Sequence, residues 1–391
     1  MTPLHGPEFG SYPADDVTWL LKDLSDVELE APVEQREAAV QAGTAHYAES
    51  LPIEYQPSAE YQELFHAALA DSAERVAHAV GMVTELVLAR RPGRMPAFAS
   101  LARAGTPVGI LMRRWARFAH DLDVPHYTLS IVRGRGIDRV ALRHLAAAHD
   151  AADAAFVDGW TGKGAITREL AAAVAAAGDD EGLHFDPELA VLADPGGCVS
   201  LFGTRDDFLI PSACLNSTVS GLVSRTVLND AYIGPADFHG AKFYRELSGS
   251  DVSMHFIDAI TARFPTVADR IAADWPALAA SDRSPDWRGW RTTDEVAARY
   301  GITNVNLVKP GVGETTRVLL RRVPWRVLVR PNVDSDLRHV LLLAAQRGVP
   351  VEEVPGLPYS CIGLIRPGFT TSAIEPEEAP AETGALSRAV Q

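Results

Sequence analysis

An acid, a hydroxyl, three glycines and a lysine crowd into Asp158-Gly-Trp-Thr-Gly-Lys-Gly164, directly after the apolar run 154–157. This is chemistry for holding a phosphate. Gly162 and Gly164 let the backbone approach an anion with no Cβ in the way, and Thr161 adds a hydroxyl donor. Residues 165–177 are helix-forming, so the loop stands at a helix N-terminus whose N–H groups point at the ligand. The nucleotide-hydrolase loop is excluded, because Val157 stands where its first glycine belongs and Gly164 where Ser or Thr should follow. The dinucleotide fingerprint fails at Thr167, and the run Arg133-Gly-Arg-Gly136 fails it at Arg139. A plain helix-capping turn is the competing interpretation of the loop.

Two further segments require the same architecture. Residues 97–110 form a strand, a tight turn carrying Arg103, and a helix that runs on through His120. Residues 126–132 are strand-like and lead into Arg133-Gly-Arg-Gly-Ile-Asp138, a mobile-looking loop with two guanidiniums. Strand–loop–helix units that alternate in this way form an open parallel sheet, which binds ligands at the carboxyl ends of its strands. The loops at 101–106 and 158–164 therefore share one crevice, with the 133–138 loop between them in sequence.

The order of these loops resembles that of the phosphoribosyltransferases of the diphosphate-releasing, orotate-enzyme-like type. The wording Leu-Ala-Arg-Ala-Gly-Thr-Pro (101–107) and Val-Asp-Gly-Trp-Thr-Gly-Lys-Gly (157–164) is closest to one branch. That branch is the phosphoribosyltransferase family of tellurium-resistance and stress gene clusters, also labelled the cysteine protease StiP family, which carries a Pelota-like RNA-binding domain at its C-terminus. The resemblance runs from Tyr12 to about Pro367. It implies a type I phosphoribosyltransferase-like α/β sheet and a magnesium-dependent transferase that takes phosphoribosyl diphosphate and a nucleobase-like nucleophile, releases pyrophosphate and makes a nucleotide-like metabolite. Ala102, Arg103, Ala104 and Gly105 would hold pyrophosphate. Arg133 and Arg135 would close over the reacting centre as a flexible hood. Asp158, Gly159, Thr161, Gly162, Lys163 and Gly164 would hold the phosphoribosyl group, with Mg2+ neutralising the paired phosphates. Arg103, Arg133, Arg135 and Asp158 are the catalytic candidates. The family's loop has two adjacent acids and this one has only Asp158, which weakens ribose binding. Transferases of this type often complete their sites across a homodimer interface.

Two other functions compete. A thiol hydrolase would use Cys198, which follows two glycines, or Cys214, read as preceding a helix start where a thiolate is stabilised, with His239 or His255 as base. No protease signature surrounds either cysteine. A non-catalytic phosphosugar sensor or RNA adaptor would suit the shortened acidic part of the loop.

Composition sets the frame for all three. The chain has 391 residues, 47% of them hydrophobic and 22% charged, enough for a large core divided into two or three domains. Cys198, Cys214 and Cys361 are too scattered for a disulfide framework or a zinc site, and no apolar run reaches membrane-spanning length, so the expectation is a cytoplasmic enzyme.

The net charge of −15 opposes nucleic acid binding overall, yet residues 301–370 hold nine Lys and Arg against five acids. The expected organisation is a helical prefix over 1–95, with helices at 32–50 and 58–88, then a catalytic domain over 96–265 and a packed linker over 266–300. A Pelota-like α/β domain over 301–370 and a disordered tail over 371–391 complete it. In the C-terminal domain, 316–320, 326–330 and 349–354 read as strands and 334–347 as a helix. Arg321, Arg322 and Arg326 are its candidate RNA ligands, a solvated face being the alternative. Within 96–265, residues 189–194 and 198–203 read as strands and 216–228 as a polar helix.

Overall fold

The computed structural model describes residues 1–31, 46, 48–54, 56–332 and 334–366, so most of the 32–50 helix candidate and the whole tail lie outside the described residues. Six strands build the main sheet: β1 (Thr18–Trp19), β2 (Ala97–Leu101), β3 (His126–Leu129), β4 (Ala154–Trp160), β5 (Leu189–Ala193) and β6 (Leu201–Thr204). They lie in the order β1-β3-β2-β4-β5-β6, every pairing parallel. The N-terminal stretch thus supplies an edge strand as well as a helix.

Alternate residues of each strand enter different cores, which is why the strands read as unbroken apolar runs. On β4, Ala155 and Val157 join one cluster with the long helix α1 (Ala59–Ala89) and α2 (Gly105–His120), while Ala154 and Phe156 join the opposite cluster with α3 (Arg139–Ala148) and α4 (Ala165–Glu181). Helix α1 crosses the sheet because Phe65, Leu69, Val76, Val80, Val83 and Val87 recur at helical spacing, and all six are buried. It approaches β6 so closely that a Cβ on Gly203 would lie 2.2 Å from the Ala79 carbonyl oxygen.

The chain steps from β2 outward to β3 and then returns across β2 to β4. The turns after β2 and β4 therefore flank the point where the winding reverses, the usual ligand crevice of such sheets. The two turns are pressed together, since a Cβ on Gly105 would stand 2.4 Å from the Val157 carbonyl oxygen.

Beyond the sheet, α5 (Ser253–Thr261), α6 (Phe264–Ala280) and α7 (Arg288–Arg299) follow, so the stretch 266–300 contains helices. The C-terminal unit holds β7 (Val308–Pro310), α8 (Val312–Arg321), β8 (Pro324–Val329), α9 (Asp334–Gln346), β9 (Val351–Glu353) and β10 (Cys361–Ile365). Its four strands lie in the order β7-β10-β8-β9, with only β8 and β9 parallel. The strand expected at 316–320 is part of α8. Val312, Thr315, Thr316, Leu319 and Leu320 are all buried at helical spacing, and the two threonines continue the apolar face.

The helix expected at 216–228 is also absent: Ser217–Val219 is a single short turn, and Gly221 and Leu222 both have positive φ. Its serines are buried and bonded, Ser217 to Glu54 and Ser224 to the Arg225 carbonyl. Asp207, in the loop after β6, clamps the two units together. It accepts from the Val312 N–H at 2.9 Å and the Ser360 N–H at 2.8 Å.

Candidate functional site

The glycine loop leaves β4 and enters α4 through Gly164, which is left-handed at φ 78°, and no side chain caps the helix. The first amides of α4 therefore stand unclaimed by any capping group, as they must where an anion is to be received. Thr161 anchors the loop: its N–H donates to the Ala193 carbonyl at 3.0 Å and its hydroxyl donates to Asp194.

Asp194 is fully buried at the end of β5 and gathers four donors. Besides Thr161 these are the Cys198 N–H at 2.9 Å, the Val199 N–H at 3.1 Å and the Arg205 guanidinium. Burial raises its carboxyl above the ordinary range, against the pull of Thr161 and Arg205. The Asp194-Pro-Gly-Gly-Cys198 turn folds back so that the Cys198 sulfur lies 3.9 Å from the Gly162 carbonyl oxygen and within hydrogen-bonding reach of Thr161. Burial and the Asp194 carboxylate push that thiol up to about 12. The thiolate is disfavoured here, because its charge would have to form in an apolar knot beside an existing anion.

The knot is tight. A Cβ on Gly196 would sit 2.3 Å from the Gly162 carbonyl oxygen, and one on Gly164 would sit 2.6 Å from the Trp287 ring and 2.8 Å from the Cys198 sulfur. Tyr359 closes it from the C-terminal unit, donating to the Gly162 carbonyl at 3.0 Å.

On the other side of the same loop lies a cleft of ≈ 290 Å³ between the two units. Arg133, Lys163, Lys309 and Arg317 line it, with Trp160, Asp158 and Glu314. Burial, then Lys309 and Arg133, bring the Lys163 ammonium down to about 8, and its Nζ donates to the Val305 carbonyl at 2.9 Å. Lys309 is likewise lowered, chiefly by burial, with Arg322, Arg133 and Arg317 adding to it. Burial raises Asp158 to about 6.

The structure brings only some of the sequence candidates together. Ala104, Asp158, Thr161, Gly162, Lys163, Gly164 and Arg133 converge on the cleft. Gly105 is packed against β4, and Arg103, whose preceding peptide bond is cis, donates to the Val223 carbonyl at 3.1 Å and lies 3.7 Å from Glu54. Arg135 points to Glu49 at 3.7 Å. The expected hood is pinned, since Glu169 of α4 accepts from the Gly134 and Gly136 N–H groups at 3.0 and 3.2 Å. Of the RNA candidates, Arg326 pairs with Glu352 at 2.5 Å and Arg322 is exposed at the end of α8. Neither expected histidine meets a cysteine: the His239 ring bonds Ser130 at 2.8 Å and the His255 ring packs against His66. Cys214 is buried in the core after a short turn, and Cys361 is buried on β10. Sequence reasoning missed Asp194 and Arg205. The signal available was an acid followed by Pro-Gly-Gly, a turn in which the carboxylate accepts from the amides that follow it.

The family model for the tellurite-like stress resistance cysteine protease StiP matches residues 10–261. The chain belongs to the StiP family. The PELOTA RNA binding domain model matches residues 287–367. The cysteine protease StiP of Acinetobacter baylyi is 34% identical over 373 residues, covering 91% of this chain and 94% of that protein. No solved structure matches. These relationships overturn the expectation of a magnesium-dependent phosphoribosyltransferase releasing pyrophosphate, since the family and the relative are both described as cysteine proteases. The thiol-hydrolase alternative gains what that reading loses. Among the described residues, no helix is long and apolar enough to cross a membrane.

Proposed function

We propose that the protein is a thiol hydrolase acting on peptide bonds, with Cys198 as its nucleophile. The observation that carries this reading is the line Cys198–Thr161–Asp194. The Thr161 hydroxyl stands between the thiol and a buried carboxylate whose proton affinity is already raised. Cys214 and Cys361 are both packed into the larger apolar core of the molecule.

In the reaction the thiol proton passes to Thr161 as the Thr161 proton passes to Asp194, and the sulfur attacks the carbonyl carbon. The C–N bond then breaks, and the amine leaves with the proton that Asp194 took up. Water adds to the thioester and releases the acid, restoring the thiol. Arg205 holds the Asp194 carboxylate in place throughout.

The site is closed: Cys198 is buried, and its sulfur and the Trp287 ring both pack on Gly164 of the glycine loop. Substrate reaches Cys198 when the 286–290 segment parts from the 161–164 loop.

The test is turnover of fluorescein-labelled casein by Cys198→Ala, Cys214→Ala and Cys361→Ala, each checked for folding by thermal melting. Loss of activity in the Cys198 variant alone is expected. A fully active Cys198→Ala protein would sink the proposal.

A further inference from the structure

The cations facing the interdomain cleft do not serve the thiol reaction. Arg133 comes from the loop after β3, Lys163 from the glycine loop, Lys309 from β7 and Arg317 from α8, so four separate elements direct positive charge into one space. The opposing carboxylates are few. Asp294 and Glu314 favour the Lys163 charge, Glu314 lies 3.3 Å from Arg317 and 4.0 Å from Lys309, and Asp158 is drawn toward its neutral form by burial. The lysines repel each other and Arg133, an arrangement that costs stability unless an anion relieves it. The Thr167 hydroxyl, which also lines the cleft, is buried and has no hydrogen-bond partner within the protein. Trp160 gives the wall an aromatic surface, with the Arg317 guanidinium 5.2 Å from its ring centre.

A cationic groove with an aromatic wall is how single-stranded nucleic acid is held without dependence on sequence. The family match places an RNA-binding domain on one side of this cleft, from residue 287 onward. The other side belongs to the main sheet, through the glycine loop.

We propose that single-stranded RNA binds in this interdomain cleft. Its phosphates lie on Lys163, Lys309 and Arg133 against the first amides of α4, and a base lies along Trp160. The main-sheet unit is therefore half of the RNA site. Arg326, spent on Glu352, is not part of it.

The test is fluorescence anisotropy of a labelled single-stranded RNA of about 12 nucleotides, titrated with the full-length protein over a range of salt. Wild type, Lys163→Met, Lys309→Met and Arg326→Met are compared. Lys163→Met and Lys309→Met should each weaken binding severalfold and flatten the slope of log affinity against log salt by ~0.7, the release of one counterion from a single strand. Arg326→Met should bind as wild type does. Because Lys163 also bonds Val305 across the cleft, Lys309→Met is the deciding variant should Lys163→Met melt early. Unchanged affinity and slope in Lys309→Met would overturn the proposal. So would failure of wild type to bind at low salt, or loss of binding in Arg326→Met alone. Inorganic phosphate serves as a competitor. Displacement of the RNA by phosphate at an equal phosphate concentration would assign the cleft to small phosphates and also overturn it. Since the titration runs equally well in Cys198→Ala, its result is independent of the hydrolase reading.

Discussion

Thr161→Val replaces a hydroxyl by a methyl of nearly the same shape, and so isolates the proton route from the packing around it. Thr161 is 5% exposed and donates to Asp194, which is 0% exposed. The substitution leaves Asp194 with the Cys198 and Val199 amides and Arg205 as donors. The loss of one donor to a buried carboxylate costs about 1–3 kcal/mol of stability, which a domain of this size tolerates. The effect on turnover should be larger. At about 12 rather than 9.0, the Cys198 thiol carries ~10³-fold less thiolate at neutral pH, a deficit of ~4 kcal/mol, so attack has to be coupled to proton removal. Loss of the relay should lower kcat/KM for casein hydrolysis by ~10²–10⁴-fold, the usual worth of a positioned general base. Thr161→Ser, which keeps the oxygen, should recover most of that. Iodoacetamide labelling of Cys198 should slow in Thr161→Val, because the route that carries the thiol proton to Asp194 is broken. A folded Thr161→Val enzyme with wild-type kcat/KM would refute the relay.

Phe156→Ala should destabilise the protein by about 3–5 kcal/mol in urea unfolding, since the ring is fully buried between β4 and α4 and stands 6.0 Å from the Phe185 ring; a loss below ~1 kcal/mol would contradict the packing described. Burial holds Asp207 at about 6, above its unfolded range near 3.9, so the folded state binds the proton more tightly. Its contribution is then favourable at low pH and is lost, by up to ~3 kcal/mol, as pH rises from about 4 to about 6, and Asp207→Asn should flatten the stability profile over that window. An unchanged slope would show that Asp207 titrates normally. RNA in the cleft adds bonds across the two units and should slow iodoacetamide labelling of Cys198; an unaltered rate would separate the two sites.

The parts of the fold that were legible were those in which local pattern and tertiary environment agree. The run 154–164 announced β4, its turn and α4, because a strand buried on both faces is apolar throughout and a turn at a helix start calls for glycine. Helix α8 was misread because its buried face includes Thr315 and Thr316, and a polar atom count hides an apolar stripe whose hydroxyls bond back into the structure, as Thr316 does to the Val312 carbonyl. The 216–228 segment failed in the opposite sense. Its serines looked like the wet face of a helix, whereas they are the means of satisfying a buried irregular chain.

The site divided along the same line. Lys163 and Gly164 were visible because one loop carries them, but the partnership of Thr161 with Asp194 spans 33 residues and two strands and exists only once β4 and β5 are paired. That pairing also sets the logic of the molecule. The loop that lends Thr161 to the sulfur on one side lends Lys163 to the cleft on the other, and Trp287, where the C-terminal unit begins, packs on Gly164 beside the buried sulfur. On the proposed reading, anything that holds the two units together across the cleft also keeps the thiol shut. Exposing Cys198 and emptying the cleft are consequences of the same separation.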